Sequence, residues 1–441
     1  MKRVFGLLRR AGSGAGGREA ATLSLATILG QAVQFLGAFV LTRLYTPAEF
    51  GTFAVFLAIN IVLLPLVCFR YEWAIPIAED DDEARDLLGL TMPSALVVGI
   101  AIGFLLDLAV GLVQPAVFEK GIAAWMMPAA LIFIGLSESV RLWFVRRNAF
   151  PVLARTRFTM LAAPVLGQIV LGLTLGGVNG LLLGYILGHA ANASLSLFYG
   201  RSAVGEALRQ WRAARVAAAA RRYRRFALFT SPAAVISAVS MQLPVMSMPT
   251  LFGAAVAGVY ALAQRVVLQP VYLINYSIQT VFWAGAAKAF REDPHGVRPR
   301  FFDTSFAVAL LLIPAVVFAS VAPSLFALCF GEAWRQSGVY AGILVIPAIT
   351  YIIATSTNCL HVCGYNKWQT VLEAGQLIAC ASVLAAAWKL GIDPVTTVYA
   401  LAGVAVLFHV VLWSTNAVIL SRGLAIPAGP VEGRAPRTPA D

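Results

Sequence analysis

Apolar residues run through this chain in long unbroken stretches joined by short polar segments. Twelve such stretches stand near 20–42, 50–69, 87–112, 122–145, 158–178, 180–200, 226–249, 255–283, 302–330, 338–362, 369–389 and 394–420. About 20 apolar residues suffice for a helix to cross the hydrocarbon core of a bilayer, so each stretch predicts one spanning helix. The stretches do not alternate over about ten residues as barrel strands do, which excludes a transmembrane β-barrel. The first is too long for a signal peptide, lacks a small-residue cleavage site and precedes eleven more, so it predicts a retained helix.

Composition agrees with this reading. Only 12% of the 441 residues are charged, against roughly a quarter in a soluble domain, and the joints leave no room for a soluble domain of useful size. The expected fold class is therefore all-α, a polytopic membrane protein of about 12 transmembrane helices. Lys and Arg set its orientation, because they accumulate in cytoplasmic segments. With the N-terminus inside, 27 of the 33 fall on the cytoplasmic side. Arg43, Lys120, Arg335 and Lys389 fall outside, and Arg141 and Arg265 fall within spans. Both termini are expected in the cytoplasm. The net charge of +12 is thus topology, and no nucleic-acid partner is expected.

Between the sixth and seventh stretches lies "RSAVGEALRQWRAARVAAAARRYRRF". Its arginines and alanines predict a helix lying on the inner leaflet, drawn to anionic lipid by about 1 kcal/mol per basic residue. This places a cytoplasmic tail at 1–19, an N-lobe of helices 1–6 at 20–200, a basic amphipathic linker at 201–225, a C-lobe of helices 7–12 at 226–420 and a disordered Pro-rich tail at 421–441. The acidic run "EDDDEARD" (Glu79 to Asp86) is expected to be a solvated inner loop.

The two lobes share a worn repeat. "LTRLYTPAEFGTFAVF" (Leu41 to Phe56) returns as "PTLFGAAVAGVYALA" (Pro249 to Ala263), with Gly51 on Gly258, Leu44 on Leu251 and Phe53 on Tyr260. Both copies span an outer turn, after the first and after the seventh helix. Six helices separate them, so the lobes are related by a parallel pseudo-two-fold repeat around a central cavity, the architecture of alternating access.

"LTRLYTPAEFGTFAVF", followed by "FRYEWAIPIAEDDDEARDL", resembles the N-terminal signature of Wzx-type polysaccharide (O-antigen or exopolysaccharide) repeat-unit flippases. These belong to the superfamily of multidrug, oligosaccharidyl-lipid and polysaccharide exporters. The resemblance implies movement of a polyprenyl-pyrophosphate-linked glycan across a bacterial inner membrane. It also implies the polysaccharide polymerase machinery as a partner.

Polar residues within the spans are the candidate site. An arginine at mid-membrane costs about 2.5–3.5 kcal/mol to insert, so it is functional by default. Arg265 lies about ten residues into the eighth helix, roughly 15 Å deep at a rise of about 1.5 Å per residue. Gln269, Tyr272, Tyr276 and Gln279 follow at helical spacing and share its face, predicting a cavity wall, with interhelical hydrogen bonding as the alternative. A guanidinium matches phosphate oxygens with paired donors and stays charged, while Tyr and Gln suit sugars. Arg43, Arg70 and Arg141 are further candidates. The first two could snorkel, and Arg141 could be neutralised by Glu138 at i,i+3.

Glu138, Glu72 and Glu373 are candidates for coupling to H+ or Na+; Asp107 is expected near the outer interface. "CLHVC" brings Cys359, His361 and Cys363 together but supplies too few converging ligands for a metal. "GSGAGG" lacks the Lys and Ser/Thr of a phosphate loop. No cofactor is expected, and energy would come from an ion gradient, the substrate gradient or a partner. Pro244, Pro249, Pro270, Pro314 and Pro347 are expected to kink helices. The functional alternatives are an ion-coupled exporter of small drugs or another glycolipid on the same fold, and a membrane glycan polymerase or ligase. Short outer loops disfavour the enzyme, while arginines in the cavity would repel a cationic drug.

Overall fold

The computed structural model describes residues 15–113, 125–292, 297–358, 360 and 366–421. Among the described residues, twelve helices are long and apolar enough to cross a membrane. They begin with α1 (Ala15–Leu44), α2 (Pro47–Val67), α3 (Asp81–Val113), α4 (Met127–Arg146), α5 (Phe150–Thr174) and α6 (Gly177–Arg209). The short α7 (Ala213–Arg222) precedes α8 (Ser231–Phe252) and α9 (Ala254–Glu292). One span is split into α10 (Val297–Ala309) and α11 (Leu312–Phe330), and α12 (Arg335–Ser356), α13 (Asn366–Leu390) and α14 (Pro394–Ser421) complete the chain. The protein is an all-α multi-pass membrane protein.

Local chemistry sets several boundaries. Thr46 and Glu49 close a capping box, each side chain taking the other's backbone N–H, and Pro47 supplies a pre-set first helical residue. Gly253, at φ +90°, makes the corresponding turn between α8 and α9. The break between α10 and α11 comes just before Pro314, which has no N–H for the carbonyl of Leu310. Pro244 and Pro249 lie inside α8, Pro270 inside α9 and Pro347 inside α12.

The chain packs as two compact units, Met1–Ala261 with Leu328–Trp334, and Leu262–Ala327 with Arg335–Asp441. The division falls inside α9 rather than at the 201–225 linker, because α8 and the first turns of α9 pack on α2. Ser231 Oγ donates to the Pro65 carbonyl at 2.8 Å. Gly51 and Gly258, the matched glycines of the repeat, meet backbone to backbone. A Cβ built on Gly51 would lie 1.8 Å from the Ala254 carbonyl oxygen, and one built on Gly258 1.8 Å from that of Pro47. The core of the first unit gathers Ile75, Leu87, Leu88, Val140 and Phe144, all buried. In the second unit Phe301 stacks on Trp413, whose Nε1 donates to Ser305 Oγ at 3.0 Å.

Two expectations about the polar joints need correction. The acidic run is not a solvated loop: Asp81, Asp82 and Glu83 form the first turn of α3, where the helix dipole favours carboxylates. Asp81 pairs with Arg146 and Arg147 at 2.9 and 2.7 Å, and Arg85 reaches Glu206 at 3.0 Å. Nor does the basic linker begin at residue 201, since α6 runs on to Arg209. What remains, α7, docks on the protein. Val216 and Ala219 are buried, Arg215 pairs with Asp86 at 3.0 Å, and Arg222 pairs with Glu79 and, at 3.2 Å, with Glu83. Trp211 Nε1 donates to the Gly89 carbonyl and Tyr71 Oη to that of Ala220. The buried residues of α7 thus pack against α3.

Candidate functional site

The densest intramembrane chemistry lies in the first unit, at the end that carries the Arg and Lys excess. Here α2 ends abruptly, with Phe69 and Arg70 both left-handed at φ +50° and +60°. Neither residue is Gly, and such conformations cost of order 1–3 kcal/mol each and persist where the surroundings enforce them. They turn the chain into a 3-10 segment, Tyr71–Ile77, that tucks Glu72 inward. Arg146 holds the far end of this segment by donating to the carbonyls of Ile75 and Ala78 at 3.3 and 2.7 Å.

Glu72 is 6% exposed. Its Oε1 lies 3.9 Å from Arg70 Nη1, too far for a hydrogen bond, and its Oε2 is buried with no hydrogen-bond partner. Burial pushes the carboxyl up to about 7, against the pull of its own backbone N–H and then of Arg70. One helix away, Glu138 accepts from both Nε and Nη2 of Arg141, at 2.8 and 2.7 Å. Glu138 and Arg141 act electrostatically on Glu72. Arg157 of α5 is half-buried and lies within electrostatic reach of the Glu138–Arg141 pair, and its Nη1 is 4.0 Å from the Met160 sulfur. Arg157 forms no salt bridge among the described residues. Three guanidinium groups thus face two carboxylates, beside a Cys68 thiol kept neutral by burial.

The structure unites Arg70, Glu72, Glu138 and Arg141 and adds Arg157, which the sequence reading had counted as a topological charge. Helical period offered a signal. Arg155 and Arg157 are two residues apart and point to different sides of α5, Arg155 outward to the Tyr199 hydroxyl at 3.1 Å and Arg157 inward. The other candidates lie elsewhere. Arg43, at the opposite end of the first two helices, donates to the carbonyls of Leu328 and Cys329 at 3.4 and 3.3 Å. There it caps the C-terminus of α11, beside a Phe39–Phe330 stack and a Trp334 Nε1 bond to the Thr42 carbonyl.

In the second unit Arg265 is half-buried on α9 and makes no salt bridge among the described residues. Gln269 and Tyr276 are exposed. Tyr272 and Gln279 turn onto α12, Tyr272 edge-on to Tyr351 at 5.8 Å and Gln279 Nε2 toward the Thr355 carbonyl at 3.4 Å. Asn275, not singled out from the sequence, joins them by accepting from Thr355 Oγ1 at 3.0 Å. Thr350 and His409 continue this polar layer at 2.9 Å. Glu373 is exposed on α13 and accepts from Gln369. The Asp107 side chain, Cys359, His361, Cys363, the first three residues of "GSGAGG" and the C-terminal tail lie outside the described residues. An apolar cleft of about 390 Å³ lined by Pro323, Ile343 and Tyr399 offers no charge.

A family model described as polysaccharide biosynthesis protein matches residues 40–339. The chain belongs to the polysaccharide biosynthesis protein family. The matched segment of this polysaccharide biosynthesis protein contains the whole Arg70–Glu72–Glu138–Arg141–Arg157 cluster, and Arg265 as well. No curated protein matches the chain by sequence. Among solved structures it is similar to the lipid II flippase MurJ in an inward closed conformation, with TM-score 0.67 and 11% identity over 92% of this chain and 90% of that one. It is also similar to an inward-facing multidrug resistance MATE transporter of the MOP superfamily, with TM-score 0.61 and 13% identity over 92% and 98% of the two chains. A third is a MOP superfamily transporter from Pyrococcus furiosus described as having a binding pocket of reverse polarity, with TM-score 0.60 and 13% identity over 94% and 98%. At these identities the likeness is one of fold.

Proposed function

We propose that this polysaccharide biosynthesis protein is a flippase that carries a polyprenyl-pyrophosphate-linked oligosaccharide repeat unit across the bacterial inner membrane by alternating access. Both termini are then cytoplasmic, and the arginine cluster lies at the cytoplasmic mouth where the cargo arrives. The observation that carries the reading is the placing of Arg157 within electrostatic reach of Arg141 and Glu138, with no salt bridge of its own among the described residues. Guanidinium groups offer paired donors in a geometry that matches phosphate oxygens. Family membership supports a role in polysaccharide synthesis, and the likeness to a lipid II flippase supports a lipid-linked glycan as cargo class. Arg265, in the second unit, is a second candidate station for the anion. Glu72 and Glu138 lie where a coupling ion, H+ or Na+, would act on the same charges.

The test is flipping of a fluorescent polyprenyl-pyrophosphate oligosaccharide in proteoliposomes. Arg157→Ala is expected to lower the rate about tenfold or more, in line with about 1.5–3 kcal/mol for a hydrogen bond to a charged group. A variant that flips at the wild-type rate removes the site from the pathway. The MATE-like fold also favours one second reading, a small-molecule exporter. Wild-type protein that ignores the glycolipid but expels a cationic dye would establish that reading instead.

A further inference from the structure

Glu72 is the carboxylate of the cluster whose charge is poorly served where it sits. It is 6% exposed, one carboxylate oxygen is buried without a partner, and the other is 3.9 Å from Arg70. An ionised carboxylate wants donors on both oxygens, whereas a protonated one needs fewer. The neighbouring carboxylate is better placed, since Glu138 is only half-buried and Arg141 Nε and Nη2 lie 2.8 and 2.7 Å from its Oε2. The charges facing Glu72 are therefore Arg70 from its own turn and Glu138 and Arg141 from α4, with Arg157 behind that pair on α5. Cys68 lies at the same turn. The remaining ionisable groups around this segment are engaged elsewhere. Arg146 and Asp81 pair at its far end, and the Tyr71 hydroxyl bonds to α7.

We infer that proton binding at Glu72 and anion binding at Arg70, Arg141 and Arg157 are coupled, each promoting the other. The ligand class is a phosphate-like dianion. With Glu72 ionised, two carboxylates oppose three guanidinium groups, and Arg70 is drawn toward Glu72. Once Glu72 takes a proton from water, Glu138 alone opposes them and Arg70 is free to donate to a ligand. An anion arriving first makes the ionised carboxylate less favourable still and draws the proton in. Linkage makes the two effects equal in size. The cluster would then load proton and anion together and release them together. This inference rests on the anion reading of the cluster above, but not on the identity of the cargo.

The experiment uses the full chain in nanodiscs of zwitterionic lipid, with sulfate as the probe because its charge stays fixed through the titration. Infrared difference spectra follow the neutral carboxyl group, and subtraction of Glu72→Gln identifies the Glu72 band. That band is expected to titrate with a midpoint at about 7 and to move upward by about one unit in saturating sulfate. Sulfate is correspondingly expected to bind wild type about tenfold tighter when Glu72 is protonated than when it is ionised, and Glu72→Gln to bind tightly at either pH. Arg157→Ala, which leaves Glu72 in place, should keep the band and lose the shift. A midpoint that sulfate leaves unmoved, while calorimetry shows sulfate bound, overturns the coupling and leaves the anion site standing. Absence of sulfate and pyrophosphate binding at any pH overturns the anion site itself. A shift produced by phosphatidylglycerol nanodiscs without added sulfate upholds the coupling and assigns the anion to a lipid headgroup.

Discussion

The contact between Gly51 and Gly258 can be tested by adding one carbon atom. An alanine Cβ at Gly51 would lie 1.8 Å from the Ala254 carbonyl oxygen and 3.0 Å from the Gly258 nitrogen. At Gly258 it would lie 1.8 Å from the Pro47 carbonyl oxygen and 2.8 Å from the Gly51 nitrogen. Both obstacles are backbone, so no rotamer change relieves them, and α2 and α9 must move apart by roughly 1.5 Å to restore ordinary contact. Overpacking of this kind costs about 1–3 kcal/mol. Small residues that allow close backbone approach are a main source of helix association in a bilayer, so little else offsets the loss. The suitable controls are Gly205→Ala and Gly403→Ala. These glycines lie in helices where an added methyl group would meet nothing within 4 Å, and alanine there gains up to about 1 kcal/mol of helix propensity. Thermal unfolding in detergent should rank Gly51→Ala and Gly258→Ala well below wild type and the controls level with it or above. The double variant should lose less than the sum of the singles, because the separation forced by one methyl makes room for the other. Unfolding of both single variants at the control temperatures, or strict additivity of the pair, would refute the close contact.

Two further outcomes follow from the charges. Glu72 has its folded pKa raised from 4.5 to about 7, so its favourable share of stability is complete below the unfolded value and is lost as pH rises through the folded one, about 3 kcal/mol in all. Glu72→Gln should therefore flatten the fall in melting temperature between about pH 5 and 8, and a variant whose profile parallels wild type contradicts the buried, poorly partnered carboxylate. For the docked linker, Asp86→Arg should speed deuterium uptake across Ala213–Arg222 by repelling Arg215, and adding Arg215→Asp should restore protection. Unchanged exchange in the single variant would mean that the pair does not hold α7.

Much of the fold was legible because spanning helices are written in continuous apolar runs, a signal that needs no knowledge of neighbours. The repeat was legible as matched letters, but not the fact that its two glycines touch. Period gave the stripe from Arg265 to Gln279 as one helix face, yet period does not say what that face meets, and Tyr272 and Gln279 meet α12. Arg70 and Glu72 were visible as charges beside a span. Their burial depends on two left-handed residues, Phe69 and Arg70, where no Gly or Asn announces the turn. The acidic run was misread for a related reason: the partner of Asp86 is Arg215, 129 residues away, and local composition looks like solvated charge whether or not such a partner exists.

That long-range pairing changes what the basic charge is for. Orientation depends on Lys and Arg whatever their acidic partners, so pairing leaves the expectation of both termini inside, drawn from 27 of the 33 basic residues, unchanged. The surface field depends on what is left after pairing, and Arg85, Arg146, Arg147, Arg215 and Arg222 are matched by carboxylates of the 79–86 run and Glu206. Paired in this way, these residues fasten α3, α4 and α7 together around the 3-10 segment that holds Glu72. Arg157 and Arg70 are not paired in this way: among the described residues Arg157 forms no salt bridge, and Arg70 has one long, weak contact. The same arginine-rich end therefore contains two populations, one neutralised and structural, the other under-neutralised and partly buried. On the proposed function, an anionic cargo would gain most from the second, because a guanidinium already paired in a hydrogen-bonded geometry has fewer donors left to give.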